Sequence, residues 1–144
     1  MSPLKLLPLL LFPLLVACSD DRAVFPINGS DHALTLIRET GFFWEKTAKY
    51  SVVAARMPDC MRRHKMGPAG VESRIEVYSP GNDAWILKQG ARMYVVETRT
   101  CEGFATLDAV PAGGMGPLVG TFQVKDDVLV FVAAPKSEAM PPAQ

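Results

Sequence analysis

The chain has 144 residues, 49% of them hydrophobic, and its 15 lysines and arginines are balanced by 15 aspartates and glutamates. That length suits one domain with tails. A near-neutral protein has no global field to steer it onto nucleic acid or anionic lipid, so nucleic-acid binding is a poor reading.

Residues 1–17 read MSPLKLLPLLLFPLLVA and precede Cys18. A basic start (the amine and Lys5), an apolar run from Leu6 to Val16 and the small Ala17 make the three-part layout of a secretory signal. A membrane-crossing helix is the alternative, but it needs about 20 apolar residues. This run is shorter, contains Pro8 and Pro13, and is stopped by Ser19-Asp20-Asp21-Arg22. Leu15-Val16-Ala17-Cys18 resembles the lipobox of bacterial lipoproteins at all four positions. The resemblance implies cleavage before Cys18, a thioether-linked diacylglycerol on that cysteine, and a new amine open to acylation. Each buried CH₂ adds about 0.8 kcal/mol, and two or more chains hold where one binds only marginally. In the Gram-negative pattern, serine after the cysteine favours the outer membrane and aspartate the inner. Ser19 occupies that place, and Asp20 comes one position late. The expected address is the outer membrane, facing the periplasm, with the inner membrane as the alternative. Residues 18–30 then read as lipidated cysteine and tether, 31–134 as a β-domain, and 135–144 as a disordered tail.

Along the body the apolar residues mostly alternate, which is the period of a strand. Leu34 and Leu36 share one face. After a turn at Gly41, Phe42, Trp44, Ala48, Tyr50, Val52 and Ala54 fall on one face of a longer run. Lys46 breaks that face near its start, leaving room for the strand proper to begin later. Pro58, Gly67, Pro68 and Gly70 make residues 58–71 a loop, with space for one helical turn around Met61 to Lys65. Ile75 and Val77 mark a half-buried strand, and Ser79 to Asp83 a turn. Trp85 to Lys88 is a short strand, Gln89-Gly90 a tight turn, and Arg92 to Thr100 another strand. Pro111 to Pro117 is a loop whose glycines lack the strand-to-helix setting of a phosphate cradle. Thr121 to Val124 and Val128 to Val132 pair around Lys125-Asp126-Asp127 as a hairpin, and the apolar last strand suits a central position. The sum is an all-β fold, a small antiparallel sandwich or barrel of about seven strands. The alternative is α+β with one short helix near 58–70.

With Cys18 assigned to lipid, Cys60 and Cys101 remain as an even pair, which in an oxidising compartment reads as a disulfide. Closing that loop would contribute roughly 4 kcal/mol on the chain-entropy model. A competing metal reading uses Met57, Cys60, Met61, His64 and Met66, soft ligands that suit Cu(I). Arg62, Arg63 and Lys65 lie between them and repel a cation, and methionines in such a stretch are more often core filler. The cations Arg56, Arg62, Arg63, His64 and Lys65 form a candidate patch for an acidic partner protein, a lipid headgroup or an envelope glycan. The plain alternative is a solvated loop. His32, beside Asp31, reads as a solvated strand-end residue, Asn28-Gly29-Ser30 as a turn, and no run resembles a catalytic motif.

The stretches 55–64 and 85–90 are similar to small envelope lipoproteins of proteobacteria, a resemblance that implies location and a shared fold and no activity. The expectation is therefore a non-enzymatic binding or structural lipoprotein with no cofactor, reaching the membrane through Cys18. A copper-handling protein and a small envelope hydrolase are the alternatives.

Overall fold

A computed structural model describes residues 19–136. Cys18, the signal segment 1–17 and most of the expected tail lie outside the described residues. The first sheet runs in the order β1 (Ser19–Asn28), β2 (His32–Thr40), β3 (Thr47–Arg56), β4 (Cys60–Lys65), and the short β5 (Ala69–Gly70) also pairs with β3. The remaining strands are β6 (Ile75–Gly81), β7 (Ala84–Gln89), β8 (Arg92–Glu97), β9 (Phe104–Leu107), β10 (Leu118–Lys125) and β11 (Val128–Ala133). They form a second sheet in the order β11-β10-β6-β7-β8-β9. Every pairing is antiparallel and neither sheet closes into a barrel.

Alternation builds the core. Leu34 and Leu36 of β2 lie opposite Ala54 and Val52 of β3, so the middle of one face of the first sheet is apolar. Ile75, Val77, Leu87, Val96 and Phe122 supply the facing surface, and the two sets form a single buried cluster. Each such side chain contributes about 1.5–3 kcal/mol relative to exposure. Two of the connections are two-residue turns that keep the sheets' right-handed twist. Asn82-Asp83 and Asp126-Asp127 all have positive φ, the condition for a type I′ hairpin, and Asn and Asp tolerate it better than most residues. At Gly116 the backbone runs so close to the Ser79 carbonyl that any Cβ would collide with it.

The all-β reading holds, and no helix occurs among the described residues. Four strands beyond the expected seven account for the rest: β1, β4, β5 and β9. The segment read as a tether is instead β1, because Ala23 and Phe25 lie opposite Leu36 and Leu34 of β2, and Ile27, at the register shift before Asn28, also packs against the core. The short helix near 58–70 is replaced by β4 and β5, since the open edge of β3 offers a hydrogen-bonded ladder to both. The last strand is at an edge and not central. Leu129 and Phe131 turn inward, and Phe131 meets Phe25 of β1 at a ring distance of 4.8 Å, while Val128 and Val132 remain exposed.

Leu36 is fully buried, so Leu36→Ala should lower unfolding free energy by about 2–5 kcal/mol. A substitution at the exposed Phe43 should stay within about 0.5 kcal/mol of the parent. Urea titration followed by circular dichroism distinguishes the two.

Candidate functional site

The strand β4 separates the predicted cation patch. Successive residues point to opposite faces of a strand. Cys60, Arg62 and His64 therefore turn toward the second sheet, and Met61, Arg63 and Lys65 turn away. Arg62 pairs with Glu102 at 2.7 Å, and His64 Nε2 lies 2.8 Å from the Cys101 carbonyl. The His64 ring stacks on Phe104 at 4.8 Å, and Phe104 stacks in turn on Tyr94. Arg63, on the other face, pairs with Glu39 at 2.9 Å. Arg56 pairs with Asp83 of the β6–β7 turn at 2.9 Å. Lys65 is exposed. These cations mostly bind this chain's own acids and carbonyls, and they face different ways.

Cys60 and Cys101 are joined in a disulfide that spans 41 residues and ties the edge strand β4 to the β8–β9 loop. The Met/Cys/His set does not converge. Cys60 is in the bridge, Met57 and Met61 are exposed, and Met66 is buried in the core. Among the described residues no three His, Cys, Asp or Glu side chains stand close enough to hold a metal ion.

The loop that carries Cys101 is organised by a residue the sequence reading passed over. Burial opposes ionisation of Glu97, but its carboxylate accepts hydrogen bonds from the Thr100 hydroxyl and from the amides of Gly103, Thr100 and Arg99. Those bonds outweigh the burial and hold the group at a pKa of about 2, against an ordinary 4.5. Cys101 itself adopts a positive φ of 63°, so the loop needs such internal fastening to present its sulfur to Cys60.

His32, expected at the surface, is instead half-buried in a polar network at one end of the strands. Its Nε2 lies 2.8 Å from the Thr98 hydroxyl, which also accepts the indole N–H of Trp85 at 3.3 Å. Burial and the neighbouring Arg56 lower the pKa of His32, with Asp83 partly opposing them. An Arg56 N–H points at the same nitrogen from 3.4 Å, which favours the neutral ring with its lone pair there. A hydroxyl beside an imidazole has the elements of a nucleophile and a base. Thr98, however, is 0% exposed, and its oxygen has no face open to a substrate. The network fastens the β8–β9 loop to the first sheet.

At the opposite end of the first sheet, the β2–β3 connection exposes Phe42, Phe43 and Trp44. The break expected at Lys46 is where the apolar face ends, and Phe42 and Trp44 do not belong to the strand. The strand begins at Thr47, past Lys46, and the three rings pack on one another outside the core. An open cavity of about 510 Å³ beside them is lined by Asp20, Glu39, Glu45 and Lys49 among others. Nearby, the buried guanidinium of Arg38 pairs with Asp21 and donates to the carbonyls of Val71 at 2.6 Å and Asp127 at 3.1 Å.

Replacing Cys60 and Cys101 together with serine should cost about 4 kcal/mol by the chain-entropy model, read as a lower urea midpoint that reductant no longer shifts. Because the pKa of Glu97 is depressed on folding, its contribution is complete above pH 4.5 and is lost as pH falls toward 2. Glu97→Gln should therefore destabilise the domain at pH 7 and flatten its loss of stability across that acid range, measured by thermal melts at stepped pH. No protein-family model, no curated protein and no solved structure matches this chain.

Proposed function

We propose that this chain is a lipid-anchored envelope protein, acylated on Cys18 and facing the periplasm from the outer membrane. Its domain, read as a two-sheet sandwich, serves as a non-enzymatic binding or structural module for an envelope protein, a headgroup or a glycan. The observation that carries the anchor is Leu15-Val16-Ala17-Cys18, placed where the apolar run ends and followed by serine. The Cys60–Cys101 bridge supports it, because disulfides persist in an oxidising compartment. Two features favour a module over an enzyme. The Thr98 hydroxyl beside His32 is fully buried, and His64 is committed to Phe104 and the Cys101 carbonyl.

Mass spectrometry of the protein extracted from its own bacterial membranes tests the anchor. The expected species lacks residues 1–17, carries added acyl mass on Cys18, and yields two alkylatable thiols only after reduction. A chain that retains residues 1–17, or one without acyl mass, overturns the reading.

A further inference from the structure

Phe42, Phe43 and Trp44 are consecutive, and none of them is in the core. Phe43 is 95% exposed and Trp44 61%. The rings of Phe42 and Trp44 stack at 4.6 Å, and Phe43 meets Trp44 edge-on at 4.9 Å. Together they make a preassembled aromatic knob on an otherwise polar turn, and a contiguous exposed apolar patch marks a contact surface. Its position in the fold says what it contacts. Ser19, the first residue of β1, pairs with Thr40, the last residue of β2, and their hydroxyls lie 2.8 Å apart. The peptide bond to Cys18 therefore leaves the domain next to the knob, and Ser19, Phe42 and Phe43 line one shallow pocket of about 310 Å³.

We infer that this aromatic loop seats in the bilayer interface beside the acyl chains on Cys18, as a second membrane contact that fixes the orientation of the domain. The inference rests on the proposed anchor and adds to it. Indole and phenyl rings partition to the headgroup level, where an apolar body and, for Trp, a polar N–H are both accommodated. The charges around the knob are mixed, with Lys46 and Lys49 against Asp20 and Glu45. The contact is therefore apolar, and it should hold whether or not the lipid is anionic. In this orientation the strands stand away from the membrane. The nine residues of β2 rise roughly 27 Å at about 3.4 Å each, so the network of His32, Arg56 and Asp83 faces the periplasm at the far end.

The test uses the acylated protein purified from membranes and reconstituted in vesicles of phosphatidylethanolamine and phosphatidylglycerol, with and without brominated phosphatidylcholine. Trp44 and the buried Trp85 are the only tryptophans, and Trp44→Phe isolates the second. The expected result is blue-shifted Trp44 emission that is lost to bromolipid and shielded from aqueous acrylamide. Trp85 emission should be unaffected, and Phe43→Ser should weaken the quenching with the fold intact. Acylated, vesicle-bound protein whose Trp44 stays open to acrylamide and untouched by bromolipid overturns this inference alone. Absence of acyl mass on Cys18 overturns the anchor and this inference with it.

Discussion

The two sheets share no backbone ladder, so their mutual placement depends on what crosses between them. Apolar burial supplies most of the attraction but is non-directional, and it would tolerate sliding of one face over the other. Direction comes from fastenings at the two sides. On the β1 side, Arg38 is only 6% exposed and spends its donors on Asp21, the Val71 carbonyl and the Asp127 carbonyl. A buried guanidinium is tolerable only when its charge is met by such partners. Its Nη atoms are so met while its Nε has no partner among the described residues, and the bonds hold β1, β2, the β5–β6 connection and the β10–β11 turn in one geometry. On the β4 side the Cys60–Cys101 bond does the same covalently, supported by Glu97 beneath the loop and by the His64–Phe104 stack.

Where a strand is half-buried and carries the usual alternation, its residues announce it. Leu34 with Leu36, the Ile75-to-Val77 run and the hairpin around Asp126-Asp127 are of this kind. The strands that escaped notice violate that expectation for physical reasons. In β1 the acids Asp20 and Asp21 look like a solvated linker, yet Asp21 is there to neutralise Arg38, a partner 17 residues away that no local pattern reveals. In β4 three of six residues are arginine or lysine, and prolines and glycines surround them. It is an edge strand whose charges reach outward and across to Glu102 and Glu39. Phe42 and Trp44 mislead in the other sense, because their spacing continues the apolar face of β3 although both lie beyond its end.

The candidate site was legible only where chemistry is local. The disulfide follows from cysteine number and from the oxidising compartment that the motif ending at Cys18 implies. The cation cluster looked like one patch because Arg62, Arg63, His64 and Lys65 are adjacent in sequence, and a strand distributes adjacent residues to opposite faces. Glu97 gave no signal at all, since its partners are mostly backbone amides of a loop whose conformation only the fold defines. His32 was hidden for a similar reason, because Thr98 and Asp83 reach it from the other sheet.

Pairing that begins at Ser19 also bears on reach. A flexible twelve-residue segment after the anchor would let the domain wander by about 20 Å around its attachment point. With β1 zipped to β2 from its first residue, that slack is gone. On the proposed anchor, the domain then explores an area and not a volume. It meets partners by drifting laterally with its lipid, and whatever it binds has to come to the surface of the same membrane or be carried in it.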